Sequence, residues 1–311
     1  MEHWELIIIG AGPAGLTAGI YAGRSELETL ILEEKMAGGE AAMTPWVENY
    51  PGFQSISGSE LAEKMTNHCK KFGAQLNELE KVVSIDLAGE KKLIKTEKGT
   101  YSVYAIIITT GTHYRLLDVP GEKEFHGRGV SYCAVCDGAF FKDKRVIVVG
   151  GGNSAATSAS YMANIARNVK LVHRRDEFRA EAAYIAALKK QPNVEFYRNS
   201  EVKEVKGDNT VRSVTLKDNN TGEVKEVEVD GVFVQIGEVP NTQVAREAGI
   251  TVDKDGYIVV DSRQRTNIAG VFAAGDVTNG PVKQIGAAVG QAIIAAAEAF
   301  GHIKRPYYYK G

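Results

Sequence analysis

Cysteine is scarce in this sequence, and its scarcity excludes two kinds of protein. Three cysteines in 311 residues, an odd number, do not fit a secreted domain held together by disulfides. Cys133 and Cys136 have the spacing of half a zinc site, but zinc takes about four ligands and no second pair of cysteines or histidines accompanies them. Cys69 falls on the apolar face of a helix predicted over residues 58–72, where a cysteine usually packs in the core. We therefore expect no metal site.

Strong net charge and long apolar runs are also lacking. The 37 basic and 39 acidic residues give a formal net charge of −2, which offers no electrostatic case for binding nucleic acid or an anionic membrane. The apolar run near the N-terminus, residues 6–9, is far too short for a signal peptide or a membrane helix. We therefore expect a cytoplasmic protein with neither nucleic acid nor membrane as a partner.

Glycine, by contrast, is abundant. The 33 glycines exceed the average share of about 7%, and they cluster where predicted strands turn into helices. This placement indicates nucleotide-binding loops rather than a flexible linker. The chain length favours two domains.

The first glycine cluster lies close to the N-terminus. An apolar strand over residues 5–9 is followed by Gly10-Ala11-Gly12-Pro13-Ala14-Gly15, then by a helical pattern and a second strand, Thr29–Leu32, which ends at Glu33-Glu34. Glycines at these positions permit a tight turn and the close approach of a pyrophosphate, and the acid accepts hydrogen bonds from a ribose 2′-hydroxyl. The pattern predicts a dinucleotide site.

The same pattern recurs in the middle of the chain with one change of charge. A strand over residues 145–149 leads into Gly150-Gly151-Gly152-Asn153-Ser154-Ala155, and a helix and a second strand follow. At the ribose position stand His173, Arg174 and Arg175, with Arg179 close by. Guanidinium groups bind phosphate in a bidentate manner. The second site is therefore predicted to bind NADPH, which carries a 2′-phosphate.

Between the two glycine clusters lies Cys133-Ala134-Val135-Cys136-Asp137-Gly138. Two thiols at this spacing can close a small disulfide, and one of them usually has a lowered pKa and can attack another disulfide. Asp137 follows at once and can carry a proton. A position between two nucleotide sites favours redox chemistry over zinc.

Taken in order, these motifs resemble the low-molecular-weight thioredoxin reductases over nearly the whole chain. The resemblance rests on the two glycine turns, the Cys133–Gly138 stretch, and three further runs: Val47-Glu48-Asn49-Tyr50-Pro51-Gly52, His173-Arg174-Arg175-Asp176-Glu177-Phe178-Arg179 and Gly275-Asp276-Val277.

The resemblance implies an α/β fold of two Rossmann-like, three-layer nucleotide-binding domains. The NADPH domain (115–240), which carries the cysteine pair, would be inserted into a split FAD domain (1–114 and 241–311). It also implies a homodimer whose partner is thioredoxin or a thioredoxin-like protein.

The resemblance also assigns roles to individual residues. Cys136 would contact the flavin, Cys133 would attack the thioredoxin disulfide, and Asp137 would move the proton. FAD would be bound by Gly10, Gly12, Pro13, Ala14, Gly15, Glu33, Glu34, Gly39, Glu40, Asn49, Thr110, Gly111, Gly275, Asp276, Lys283, Gln284 and Ile285. NADPH would be bound by Gly150, Gly152, Asn153, Ser154, Ala155, His173, Arg174, Arg175 and Arg179.

Two departures from the family pattern lie near the implied flavin site. Glu40 stands where the family usually has glutamine, and Lys283 stands where it often has arginine, which keeps the charge but not the planar fork. Three alternatives stay open: a related reductase fed by another donor such as ferredoxin, a ferredoxin–NADP reductase, and a non-catalytic redox-sensing protein. The arginines disfavour the first, the cysteine pair the second, and two intact fingerprints the third.

Overall fold

The computed structural model describes residues 1–44, 47–89 and 91–305. The chain forms two compact units: Met1–His113 together with the described residues from Val239 onward, and Tyr114–Glu238. The predicted α/β fold, with one Rossmann-like unit inserted into another, is confirmed. The two connections between the units pair as a two-stranded sheet of β7 (Thr112–Tyr114) and β16 (Glu238–Pro240).

The first unit is built on a mixed sheet with the strand order β3-β2-β1-β6-β5-β4, and β17 also pairs with β6. The last four residues of the first strand are buried because the strand lies between two parallel neighbours, with Leu6 opposite both Thr29 and Ala105. The strands are β1 (Glu2–Ile9), β2 (Thr29–Leu32), β3 (Gln75–Asn77), β4 (Val82–Asp86), β5 (Lys92–Thr96), β6 (Thr100–Ile108) and β17 (Val271–Ala273).

Helices cover this sheet. One of them, α8, is long and apolar enough by length and composition to cross a membrane, a test that core helices of soluble proteins also pass. Its alanines share one buried cluster with residues of α1 and α3, so one core of the first unit lies between these helices and the sheet. A second buried cluster contains Ile7 and Ile9 of β1 and Ala245 of α7. The helices are α1 (Pro13–Arg24), α2 (Gly39–Ala42), α3 (Gly58–Lys71), α7 (Gln243–Glu247) and α8 (Ile285–Lys304).

The second unit has a parallel sheet with the order β11-β10-β9-β15-β8 and a separate antiparallel sheet, β12-β13-β14. The strands of this second sheet pair as two hairpins, β12 with β13 and β13 with β14. The strands are β8 (Val130–Ser131), β9 (Arg145–Val149), β10 (Asn168–Val172), β11 (Val194–Tyr197), β12 (Ser200–Gly207), β13 (Val211–Asp218), β14 (Val224–Glu228) and β15 (Gly231–Val234). The helices are α4 (Ala134–Asp137), α5 (Asn153–Ala163) and α6 (Ala182–Leu188), with a 3₁₀ turn at Gly138–Phe141.

The two units repeat one arrangement. The order β3-β2-β1-β6 in the first corresponds to β11-β10-β9-β15 in the second, so each glycine turn follows a central strand at its carboxyl end. In parallel sheets ligands bind beyond the carboxyl ends of the strands. The fold thus places both glycine turns where a nucleotide is expected.

The first strand differs from its prediction at its N-terminus. The apolar pattern predicts a start at Glu5, but β1 begins at Glu2 because residues 2–4 pair with residues 101–103 of β6. Backbone pairing across strands far apart in sequence leaves no local apolar signal. Cys69 lies in the core as predicted, with 1% of its surface exposed.

Two glycines of the first turn give opposite expectations for substitution by alanine. A methyl group on Gly15 would lie 1.8 Å from the carbonyl oxygen of Gly10, whereas one on Gly12 would have no atom within 4 Å. Gly15→Ala should therefore lower the free energy of unfolding by about 2 kcal/mol or more, although alanine is the better helix former.

The measurement is the thermal midpoint of both variants after removal of bound small molecules. Gly12→Ala is the matched control, and its midpoint should stay close to that of the parent protein. Equal midpoints for the two variants would contradict the steric account.

Candidate functional site

The first glycine turn forms a cradle at the start of α1. The Gly10 amide donates to the carbonyl of Leu32 at 2.8 Å, and a methyl group on Gly10 would lie 2.5 Å from the carbonyl oxygen of Thr109. The space above Gly12 is open, since a methyl group there would meet nothing within 4 Å. Backbone amides at a helix N-terminus beside open space suit a pyrophosphate. The cradle therefore fits a dinucleotide.

The two acids at the end of β2 point to different partners. The Glu33 carboxylate accepts hydrogen bonds from the amides of Ala11 at 2.7 Å and of Lys35 at 2.8 Å. Glu34 instead pairs with Lys81 at 2.8 Å and is exposed. Of the two, Glu33 is thus the acid placed against the turn, as ribose recognition requires.

Segments far apart in sequence meet the same end of the first sheet. The Asn49 side-chain amide donates to Gln284 Oε1 at 2.9 Å, directly before α8, whose first residue is Ile285. The Gly275 amide donates to Gln291 Oε1 at 2.7 Å. A methyl group on Gly275 would lie 3.0 Å from the Cβ of Ala14. The loop after β17 therefore lies against the first turn of α1, which begins at Pro13.

Asp276 and Lys283 lie on that loop. Burial raises the pKa of the Asp276 carboxyl, and the positive charge of Lys283 opposes this rise. The Lys283 ammonium donates to the carbonyls of Asp276, at 3.0 Å, and Thr278, and it lies 4.2 Å from the ring centroid of Tyr257. Lys283 therefore holds the loop by contacts within the protein.

The remaining predicted flavin residues border the cradle or the connections. A methyl group on Gly39 would lie 3.2 Å from the Cα of Gly12, and Glu40 is exposed on α2. Thr110 is tied to Asn241: its hydroxyl donates to the Asn241 carbonyl at 2.7 Å, and the Asn241 amide side chain donates to the Thr110 carbonyl at 2.8 Å. The carbonyl of Gly111 accepts from the Asn241 backbone amide at 3.0 Å.

The second glycine turn repeats the geometry of the first. The Gly150 amide donates to the Val172 carbonyl at 2.9 Å, and a methyl group on Gly150 would lie 2.2 Å from the carbonyl oxygen of Gln235. A methyl group on Gly152 would again meet nothing within 4 Å. Ala155 is buried beneath the turn and Ser154 is exposed. This cradle also fits a nucleotide phosphate.

Asn153 and Glu181 close one side of this cradle. The Asn153 side chain donates to Glu181 Oε1 at 2.9 Å and accepts from the Glu181 amide at 2.9 Å. Glu181 could not be predicted from the sequence, because its partner Asn153 lies 28 residues away.

His173 lies beneath the turn rather than on the surface. Only 6% of its surface is exposed, and a methyl group on Gly151 would lie 2.2 Å from its ring. The ring stacks on Phe178 at 5.2 Å. Burial and the charge of Arg179 lower its pKa, so the ring is neutral at neutral pH. His173 supports the turn by packing, and its predicted contact with NADPH stays a prediction.

The arginines follow on an exposed loop that is fixed to the turn by its backbone. The amides of Arg179 and Ala180 donate to the Gly151 carbonyl at 2.7 and 3.0 Å. The Arg174 carbonyl accepts from the Asn219 side chain at 3.1 Å. Arg174, Arg175 and Arg179 are exposed, so their guanidinium groups are free to meet a phosphate.

Cys133 and Cys136 form a disulfide at the start of α4. The Cys136 amide donates to the Cys133 sulfur at 3.2 Å. An amide proton aimed at sulfur stabilises the thiolate form. Of the two thiols, Cys133 therefore has a contact that favours a nucleophile.

Asp137 is a partly desolvated acid beside this disulfide. Burial raises its pKa, while a hydrogen bond from Ser131 at 2.6 Å and the charge of His126 oppose the rise. Its other oxygen, Oδ1, is buried without a hydrogen-bond partner. The Ser131 hydroxyl also accepts from the Cys133 amide at 3.1 Å, which links the acid to the redox pair. Sequence reasoning missed Ser131, although it stands only two residues before Cys133.

Among residues 1–44, 47–89 and 91–305 no group of three or more His, Cys, Asp or Glu side chains is arranged to hold a metal ion.

Known proteins resemble this chain over nearly its full length. Residues 4–292 match the family model described as pyridine nucleotide-disulphide oxidoreductase. A thioredoxin reductase from Bacillus subtilis is 46% identical over 94% of this chain and 92% of its own length. The crystal structure of thioredoxin reductase from Streptococcus pyogenes superimposes with a TM-score of 0.93 at 41% identity, covering 98% of this chain and 99% of that one.

A structure with another electron donor in its name is also similar. The ferredoxin-flavin thioredoxin reductase from Clostridium acetobutylicum is 33% identical, covers 98% of this chain and 100% of its own, and has a TM-score of 0.54.

The raised pKa of Asp137 predicts a pH-dependent effect of Asp137→Asn on stability. A folded-state pKa above the unfolded value means that ionisation costs more in the folded state, so native stability falls as pH rises through the range between the two values. Removing the charge should therefore stabilise the oxidised protein at about pH 8 and make little difference near pH 4.

Thermal midpoints across this pH range test the prediction. Asp218→Asn is the control of opposite sign, because the amides of Thr221 and Asn220 lower the pKa of Asp218, and its loss should destabilise at high pH. An Asp137→Asn variant that is less stable than the parent at high pH would contradict the account.

Proposed function

We propose a function from the premise that this chain belongs to the pyridine nucleotide-disulphide oxidoreductase family: it is an NADPH-dependent thioredoxin reductase with FAD as its bound cofactor. The observation that carries the proposal is the disulfide of Cys133 and Cys136, next to a half-buried acid, in the unit whose glycine turn is flanked by arginines. The relatives named thioredoxin reductase support the same function.

The two cradles divide the cofactors by charge. FAD is assigned to the first unit, where the Glu33 carboxylate lies at the turn and accepts from the Ala11 amide. A carboxylate at this position can also accept a hydrogen bond from a ribose hydroxyl. NADPH is assigned to the second unit, where exposed guanidinium groups stand in place of the acid. When bound, the flavin accepts two electrons from NADPH and passes them to a disulfide.

The two cysteines carry out the disulfide exchange, and Asp137 serves their proton transfers. The Cys133 thiolate attacks one sulfur of the oxidised thioredoxin, which forms a mixed disulfide and releases one thioredoxin thiolate. The Cys136 thiolate then attacks the Cys133 sulfur, which restores the disulfide and releases the second thioredoxin thiolate. In sum, NADPH, one proton and a disulfide become NADP⁺ and a dithiol.

Asp137 supplies and recovers the protons of this exchange. Its raised pKa keeps a proton available closer to neutral pH than an exposed aspartate would. The amide of Asp137 donates to the Cys133 carbonyl at 3.1 Å, so the acid is held to the segment that bears the nucleophile.

The choice of electron donor rests on the arginine loop. The similarity to a ferredoxin-flavin thioredoxin reductase keeps ferredoxin as the second candidate. Arg174, Arg175 and Arg179 favour NADPH, because a 2′-phosphate is the group that they would bind. The cysteine pair disfavours a ferredoxin–NADP reductase, because the reaction of such an enzyme does not require a disulfide.

The remaining assignments concern assembly and location. We assign a homodimer, supported by an exposed apolar face on α8 formed by Gly286, Gly290, Ile294 and Ala297, where a second copy can bury apolar surface. We assign a soluble, cytoplasmic location, where thiols of a redox pair are kept in exchange with the reducing pool.

Replacement of Arg174 and Arg175 by alanine tests the donor. A hydrogen bond to a charged group contributes about 1.5–3 kcal/mol, so the double variant should lose well over tenfold of its preference for NADPH over NADH. The measurement is kcat/KM for both nucleotides with ferricyanide as the electron acceptor. An unchanged ratio of kcat/KM for NADPH over NADH would show that these arginines do not bind the 2′-phosphate. A parent protein that is reduced only by ferredoxin would support the second candidate.

Serine variants of the redox pair test the dithiol mechanism. Cys133→Ser and Cys136→Ser should each keep flavin and its reduction by NADPH but lose thioredoxin turnover by about a thousandfold or more. Cys69→Ala is the matched control, because burial raises the pKa of that thiol to about 11 and leaves it inert. Full turnover in either serine variant would refute the mechanism.

A further inference from the structure

Tyr132, the residue directly before Cys133, makes contacts that the mechanism above does not use. It follows β8, and 8% of its surface is exposed. A buried phenol requires a hydrogen-bond acceptor, and this one donates to Glu122 Oε1 at 3.0 Å. The ring also stacks on Tyr114, with 5.0 Å between the centroids and 14° between the planes.

Glu122 ties Tyr132 to the first residues of the second unit, residues 114–118, here called the leading segment. The Glu122 carboxylate is almost completely buried, with 1% exposed. It accepts from the amides of Leu117 and Asp118, both at 2.8 Å, and from the Tyr132 hydroxyl. A buried carboxylate depends on each donor that replaces water. The leading segment and Tyr132 are therefore held by the same charge.

A second contact ties the backbone of Tyr132 to the glycine turn of this unit. The Tyr132 carbonyl, which belongs to the peptide group shared with Cys133, accepts from the Gln235 side chain at 2.7 Å. The Gln235 amide donates to the Val149 carbonyl at 2.7 Å, directly before Gly150. The peptide group before Cys133 is thus anchored on both sides.

We propose that Tyr132 is a positioning residue for the Cys133–Cys136 pair, acting with Glu122. By fixing the backbone at Cys133, it keeps the two sulfur atoms within bonding reach of each other. Such pre-organisation raises the effective concentration of one thiol at the other and so favours the disulfide over the dithiol. In the proposed function, the positioning by Tyr132 sets how readily the disulfide is reduced. Through the leading segment, Tyr132 also links the reduction of the disulfide to the connection between the units.

The test is the equilibrium between the disulfide and dithiol forms of the intact holoprotein. In mixtures of reduced and oxidised dithiothreitol without oxygen, the protein disulfide gains two electrons and two protons while dithiothreitol closes to its cyclic disulfide. After quenching and denaturation, a maleimide reagent counts the thiols. Labelling rises from one thiol, Cys69, to three as Cys133 and Cys136 are reduced.

Tyr132→Phe removes the hydroxyl and keeps the ring on Tyr114. The variant should shift the equilibrium toward the dithiol about tenfold, or about 30 mV, because a hydrogen bond to a charged group contributes roughly that much. Glu122→Gln should shift it in the same direction. The double variant should shift it by less than the sum of the two single shifts, because both single changes weaken the contact between Tyr132 and Glu122.

Tyr101→Phe is the matched control. Tyr101 also has 8% of its surface exposed, and it donates to the buried Glu80 at 2.7 Å in the first unit. The control should lower the thermal midpoint in a comparable way without moving the thiol–disulfide equilibrium.

Two results would overturn the proposal: a shift in Tyr132→Phe no larger than that in Tyr101→Phe, or additive shifts in the double variant. The inference rests on the proposed function for its meaning in turnover, but the measurement uses neither NADPH nor thioredoxin. A parent protein that fails to reduce thioredoxin would therefore reject the proposed function while this test still gives its answer.

Discussion

The structure depends on a steric constraint that recurs in both units: the chain after a central strand must pass so close to a neighbouring strand that no Cβ fits. At Gly10 the obstacle is the Thr109 carbonyl oxygen, 2.5 Å from where a methyl group would be, and at Gly150 it is that of Gln235, at 2.2 Å. The neighbours correspond, because Thr109 follows β6 and Gln235 follows β15. Each close approach leaves an open helix N-terminus, at Gly12 and at Gly152, where a phosphate can meet backbone amides.

The two glycine turns share a backbone arrangement, but the charged residues beside them differ. Glu33 bonds to the first turn, whereas the corresponding loop in the second unit presents guanidinium groups above a buried, neutral His173. The redox pair lies in the second unit beside a carboxyl whose pKa is raised by burial. In the proposed function, these differences assign FAD to the first unit and NADPH to the second.

Sequence predicted best those features whose cause is local. The bounds of β2 and β9 follow from apolar runs that end at an acidic residue and at a glycine, and both fingerprints follow from the spacing of glycines. It could not predict contacts that join distant segments, such as Glu122 with Tyr132, Asn153 with Glu181, or the placement of His173 under Gly151. Helix α6 was not predicted either: its alanines and leucine favour a helix, but most of its residues are exposed and form no apolar face. Nothing in residue type distinguishes Glu33 from Glu34, and only the fold turns one toward the glycine turn.

In the proposed function, one chain holds two redox centres in series, a flavin and the Cys133–Cys136 disulfide. An anaerobic titration with NADPH, followed by flavin absorbance and by thiol labelling, counts them directly. We expect about two NADPH to be consumed per chain before NADPH accumulates, one for each two-electron centre, and about one in Cys133→Ser. Consumption of a single equivalent by the parent protein, with the disulfide still intact, would contradict two redox centres in series.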